Sequence, residues 1–189
     1  QGYAIAAEAL SRGAKVTLVT TANLPAPAGA DVIDVVSAAD MEAAVMPRAD
    51  EHDVIVMAAA VADFRPAVVA DHKIKKDEVG ADGDRKIVLE PTHDFLVDLG
   101  ERKAPSQVLV GFAAETDNVL DNARGKLARK NLDLIVANDV GADGVGFECD
   151  TNAVTILSAS GDTTAIALTD KRAVAKAVLD AVVAIRSDR

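Results

Sequence analysis

Residues 54–66 read VIVMAAAVADFRP, and a lysine cluster, Lys73-Ile74-Lys75-Lys76, follows after a short gap. The run from Val54 to Ala59 is continuously apolar, as in a strand buried on both faces of a parallel sheet. Three alanines end it, and an acid, an aromatic and an arginine then arrive together. Small residues at the carboxyl end of a buried strand let a ligand approach the backbone. In open α/β sheets ligands bind at that end. A strand that opens onto a basic loop, inside an otherwise acidic chain, is suited to hold a phosphorylated anion.

The surrounding elements alternate. Gly2 to Arg12 has the pattern of an amphipathic helix, with Gly13 as its stop. Lys15 to Thr20 reads as a strand, 21–30 as a loop with Pro25, Pro27 and Gly29, and Asp31 to Val36 as a second strand. Ser37 or Ala38 opens a helix through about Arg48. The charged stretch 60–86, with Pro66, Gly80 and Gly83, is too long for an ordinary connection and reads as functional. Ile87 to Glu90 is a further strand, or half of a hairpin with part of that loop. Asp94 then opens a helix to Arg102, Gln107 to Ala113 is a strand, Asp117 to Lys130 a helix and Leu132 to Asn138 a strand. Asn152 to Ser158 and Thr163 to Leu168 form a hairpin around Gly161-Asp162, and Lys171 to about Ile185 a last helix. The expected fold is α/β and three-layered: a Rossmann-like, mostly parallel sheet with helices on both faces and an antiparallel hairpin at one edge.

Length and composition fit this. The 189 residues suit one domain, half of them are hydrophobic, and only 3% are aromatic, with no Trp. Such a core is built of Ala, Val, Leu and Ile. A net charge of −10 argues against nucleic acid or an anionic membrane surface as partner. Small phosphorylated ligands stay compatible, because salt screens the distant field. The single cysteine, Cys149, excludes a disulfide within the chain and points to a reducing cytoplasm. No apolar run approaches the roughly 18 residues of a membrane span, and no signal peptide is visible. The chain opens at Gln1 inside a helical pattern, which reads as a domain lacking its natural amino terminus.

MAAAVADFRP at 57–66, followed by KIKK at 73–76, resembles the signature of phosphopantothenate–cysteine ligase. In bacteria this is the second half of a bifunctional coenzyme A biosynthesis protein. VGFAAET at 110–116, KLARKNLDLIVAND at 126–139 and QGYAIAAEALSRGAKVTLVT at 1–20 are similar to the same family, in the family's order and spacing. The resemblance implies that CTP activates 4′-phosphopantothenate as an acyl-cytidylate, that the cysteine amine then forms the amide, and that Mg²⁺ accompanies the triphosphate. It also implies a homodimer through the ligase half, a higher oligomer in the full-length protein, and FMN only in the decarboxylase half, which lies outside these residues.

Each motif has a plain reading beside the functional one. Ala58 to Asp63 reads from the residues alone as a strand end with Asp63 capping a turn. The resemblance makes Met57, Ala58, Ala59 and Asp63 a wall of the nucleotide site and turns Ala60 to the acid substrate. A short lysine run is usually a solvated face, yet phosphates need several donors and compensating charge. The resemblance puts Lys73 on the triphosphate as the central catalytic residue. His93-Asp94 before a helix reads as a cap. The resemblance has the first turn there, through His93, Asp94, Phe95 and Leu96, contact the nucleotide base, though the family commonly carries proline at the position of His93.

Phe112 reads as core, or as a face on which a base stacks, and the resemblance places it at the nucleotide. Lys126 and Lys130, four apart, share a helix face. The resemblance sends both to the nucleotide and Asn138 to phosphopantothenate. The glycines of 141–146 do not open a helix, so they form a turn and not a dinucleotide fingerprint.

The resemblance further implies that an amino-terminal strand and a glycine- and serine-rich turn, Asn-x-Ser-Ser-Gly-Lys, precede Gln1. A Rossmann oxidoreductase using NAD(P) is the alternative enzyme and needs a GxGxxG turn before residue 1. A catalytically silent nucleotide-binding or oligomerisation module is the alternative of another class.

Overall fold

A computed structural model of the chain describes residues 1–73, 75, 86–115, 118–139 and 150–189, with the backbone alone at Glu115 and Asp139. These residues form two compact units: Gln1–Ala59 with Phe95–Arg189, and Ala60–Asp94. Ile74, Lys76, the glycine turn at 141–146 and Cys149 lie outside the described residues.

The larger unit is an α/β fold, and its order starts with α1 (Gly2–Ser11), β1 (Thr17–Thr20), β2 (Asp31–Asp34), α2 (Ala38–Val45), a 3₁₀ helix (Met46–Glu51) and β3 (Val54–Met57). After the smaller unit come α3 (Phe95–Arg102), β6 (Val108–Glu115), α4 (Val119–Arg129), β7 (Leu134–Asp139), β8 (Thr151–Ser158), β9 (Thr163–Asp170) and α5 (Lys171–Ser187). Local chemistry explains several boundaries. The Ser37 side chain accepts from the Asp40 amide at 3.1 Å while the Asp40 carboxylate accepts from Ser37 N–H at 2.9 Å, a capping box that starts α2. Pro47 has no N–H for the α-helical ladder, so the helix expected to run to Arg48 tightens to 3₁₀ geometry after Val45. Asp170 caps α5 by accepting from the Arg172 and Ala173 amides, and Gly161 turns the β8–β9 hairpin with φ of 101°.

The main sheet has the order β3-β6-β7-β8-β9. Its first three strands are parallel, and β8 and β9 add the antiparallel hairpin at one edge. Alternate residues divide the core. Val108, Val110, Leu134, Val136, Val154 and Ile156 face α5, where Val174, Val178 and Val182 complete a buried cluster. Each such side chain contributes about 1.5–3 kcal/mol by leaving water. Leu109 and Ile135 point to the opposite face by the pleat, and α4 packs there on β6 and β7.

Two expectations change. β1 and β2 form a parallel pair of their own, not part of one continuous sheet. Val54–Met57 is half-buried and not buried on both faces, because β3 is the terminal strand of the five.

In the smaller unit, β4 (Phe64–Pro66) pairs antiparallel with β5 (Leu89–Pro91). Arg65 Nε lies 2.8 Å from Glu90 Oε1 across the pair. Residues 67–88 connect the two strands. Phe64, Val68, Val69, Ile87, Val88 and Leu89 are exposed.

Candidate functional site

In the larger unit the carboxyl ends of the parallel strands form one rim. Register aligns Met57 with Gly111 and Ala114 with Asn138, so the ends of β3, β6 and β7 lie side by side. Of the residues anticipated from the sequence, this edge gathers Met57, Ala58 and Ala59 after β3, Phe112 in β6, and Asn138 in β7. Met57, Ala58 and Asn138 are half-buried and Ala59 is exposed. A Cβ at Gly2 would stand 3.7 Å from Ala58 Cβ, so the first turn of α1 abuts the same strand end. The Tyr3 hydroxyl donates to the Ala22 carbonyl at 2.8 Å, which ties that turn to the end of β1. Sequence reading passed over Gly2 and Tyr3. A glycine and a tyrosine in a plain amphipathic helix carry no signal until the helix is seated on the sheet.

Phe112 is half-buried and packs on the cluster of Ile5, Ala175 and Leu179 as well as on the main core. Its ring is therefore at least partly a wall of the fold. Gly111 before it has a packing reason. A Cβ there would sit 2.7 Å from Leu132 Cδ1 and 3.7 Å from Leu96 Cδ2. Phe95 is 2% exposed, so its ring belongs to the interior and offers no face to a ligand. Leu96 is half-buried one residue on. Lys126 lies in the last turn of α4 and Lys130 caps it, one turn apart and both half-buried. The negative end of a helix favours cations there.

In the smaller unit, Thr92 N–H donates to the Asp63 carbonyl at 2.8 Å. That bond sets Asp63 beside the segment carrying His93 and Asp94, at the Phe64–Pro91 end of the β4–β5 pair. Ala60 is exposed just before it. Lys73 and Lys75 are also exposed, in the connection that leaves the pair at its other end, Pro66–Leu89. Within this unit, then, Asp63 comes beside the segment carrying His93 and Asp94.

Among the described residues, no three His, Cys, Asp or Glu side chains converge as metal ligands. No helix among them is long and apolar enough to cross a membrane.

The carboxyl ends of β3, β6 and β7 thus bring small residues and backbone ends together, with the start of α1 against Ala58. Residues 1–185 match the family described as DNA/pantothenate metabolism flavoprotein C-terminal domain.

The chain belongs to that family.

It is 47% identical over 186 residues to the coenzyme A biosynthesis bifunctional protein CoaBC of Bacillus subtilis, covering 97% of this chain and 45% of the relative. The chain thus spans about half the length of the curated relatives it matches. A crystal structure of the C-terminal domain of a CoaBC protein superimposes with a TM-score of 0.81 at 37% identity, covering 100% of this chain and 83% of that one. The fold also matches a histidine-to-alanine mutant of Cab2, solved in complex with phosphopantothenate-cysteine, with a TM-score of 0.66 at 22% identity over 85% of this chain and 54% of that one.

Proposed function

We propose that this member of the family is the ligase part of a coenzyme A biosynthesis enzyme and joins 4′-phosphopantothenate to cysteine at the expense of CTP. The observation that carries the reading is the rim where Met57–Ala59, Phe112 and Asn138 meet at the ends of three parallel strands. The kinship to CoaBC proteins supports the substrate class.

Two balanced steps follow. The phosphopantothenate carboxylate attacks the α-phosphorus of CTP, the bond to the β-phosphate oxygen breaks, and pyrophosphate leaves. The cysteine amine then attacks the acyl carbonyl, CMP departs with the electron pair of the C–O bond, and the amine loses a proton. No enzyme nucleophile is needed, so the residues bind, orient and neutralise. In this reading Ala58, Ala59 and the start of α3 at Phe95–Leu96 offer backbone to the nucleotide, with Met57 and Phe112 as apolar walls and Asp63, His93 and Asp94 at its edge. Lys73, Lys126 and Lys130 compensate triphosphate charge, while Ala60 and Asn138 face phosphopantothenate. Mg²⁺ bound to the triphosphate would draw charge from the leaving group.

The exposed Val68, Val69, Ile87 and Val88 support pairing of two copies through the Ala60–Asp94 unit. Soluble cytoplasmic enzymes of this kind need no membrane contact, and FMN belongs to a decarboxylase partner domain.

The test is pyrophosphate release by the full-length protein given 4′-phosphopantothenate, cysteine and either CTP or ATP. Release that requires phosphopantothenate supports the ligase. Silence with both nucleotides, or hydride transfer from a nicotinamide cofactor, overturns it, and the ratio of CTP to ATP rates settles the base.

A further inference from the structure

β8 alternates along its first half: Asn152, Val154 and Ile156 are buried, while Thr151, Ala153 and Thr155 between them are half-buried. Val154 and Ile156 join the apolar cluster under α5. Asn152 holds the next position on that face, 5% exposed, where the pattern asks for another apolar side chain. Asparagine is also a poor strand residue. Its Oδ1 is buried and has no hydrogen-bond partner among the described residues. The fold gains nothing from this amide and bears its desolvation. Native structures keep such an unpaired buried group where function uses it.

Asn152 lies at the rim. β8 runs antiparallel to β7, so it starts at the end where β7 stops. The register pairs Val136 with Ile156 and Ala137 with Thr155. One step on, Asn138 stands opposite Val154, and Asn152 is its diagonal neighbour on the same face. Ala114 flanks Asn138 from the other side, in register on β6. Phe112, two residues before Ala114, packs on the cluster under α5, which sets Ala114, Asn138 and Asn152 on one face of the sheet. Exposure falls along this row: Ala114 is exposed, Asn138 half-buried and Asn152 buried. A ligand lying on Ala114 and Asn138 reaches Asn152 last, and meets there an acceptor that an N–H or O–H donor satisfies.

We propose that Asn152 is a substrate-binding residue whose Oδ1 accepts a hydrogen bond from 4′-phosphopantothenate, through the amide N–H or the hydroxyl of that molecule. The assignment rests on the ligase reading, in which the neighbouring Asn138 faces the same substrate. Phosphopantothenate carries both kinds of donor in its middle, between a phosphate and a carboxylate that offer only acceptors when ionised. A buried acceptor therefore fixes the molecule along its length and sets where its carboxylate stands. The bond also gives specificity, since an analogue without the donor leaves Oδ1 unpaired.

Two variants of the full-length protein test it. Asn152→Val keeps a strand-forming side chain and removes the amide, and Asn152→Ala does so without adding bulk. Without ligand, at least one should keep or exceed the thermal midpoint of wild type, because no bond of the fold is lost and an unpaired acceptor is gone. In pyrophosphate release, both should raise KM for 4′-phosphopantothenate about 10-fold, with KM for the nucleotide and for cysteine unchanged. A lowered midpoint in both variants, down to failure to fold, overturns the proposal by showing that the fold itself uses the amide. An unchanged KM for phosphopantothenate, or a rise confined to the nucleotide or to cysteine, overturns it too. Failure of the ligase reading is distinct: wild type itself then releases no pyrophosphate, and the assignment falls with that reading.

Discussion

Gly100 of α3 faces the backbone of Lys130 at the end of α4 so closely that a Cβ on Gly100 would lie 2.0 Å from the Lys130 carbonyl oxygen. The Asn131 side chain locks the contact by donating to the Gly100 carbonyl at 2.7 Å. Two helices whose ends carry candidate ligand contacts are thus joined through main chain. Gly100→Ala should destabilise the fold by about 1–3 kcal/mol or more, because the opposing atom is backbone and cannot rotate away. Urea unfolding checks this, and an unchanged midpoint would refute the contact.

Asp133 is the buried anchor of the other end of the sheet. Its carboxylate lies 2.9 Å from Lys103 Nζ, accepts from Leu109 N–H at 2.7 Å and pairs with Arg189. Lys103 is 10% exposed at its side chain and Asp133 6%, so removing the acid strands a nearly buried cation. Asp133→Ala should cost about 3–5 kcal/mol. Arg189→Ala should cost far less, since that side chain is one-third open to water. Comparing the two thermal midpoints decides whether the network is anchored on Asp133.

The capping box of α2 gives a pH signature. The Ser37 hydroxyl, the Ser37 amide and the Val36 amide all donate to the Asp40 carboxylate and hold its pKa below the ordinary value. A lowered folded-state pKa adds stability above the unfolded value, and that stability is lost as pH falls through the folded one. The stability gap between wild type and Asp40→Asn should therefore close as pH drops below about 4. Ser37→Ala should cost about 1 kcal/mol at neutral pH. Denaturation midpoints measured from about pH 6 to 3 follow both effects.

Lys73 is exposed, so its loss should spare the fold and strike the chemistry. Lys73→Ala should lower kcat for pyrophosphate release by about 10²–10³-fold, the usual cost of one transition-state donor, with an unchanged Tm. Lys126→Ala and Lys130→Ala should raise KM for the nucleotide more than they lower kcat. Full activity in the Lys73 variant would remove it from the mechanism.

The candidate site was only partly legible in the residues. The small strand end Met57–Ala59 and the position of Asn138 could be read from apolar runs that stop, because a strand's end is a local property. The half-buried packing of Phe112 and the buried ring of Phe95 could not, since both depend on which helices cover the strand. Gly2 and Gly111 matter through neighbours distant in sequence. The approach of Asp63 to the His93-Asp94 segment depends on the Phe64–Pro66 and Leu89–Pro91 pairing, which brings together residues some twenty-five apart.

What the sequence determined by itself was the order of strands and helices, the helix start at Ser37, the turn at Gly161 and the hairpin that closes the sheet. Each follows from hydrophobic period, hydrogen-bonding side chains or φ preference within a few residues. Tertiary structure alone decided that β3 ends a five-stranded sheet, that β1 and β2 stand as a separate pair, and that Gly100 meets Lys130. An apolar side chain states that it must leave water but not which neighbour will cover it, and strand edges choose partners through backbone groups that every sequence shares.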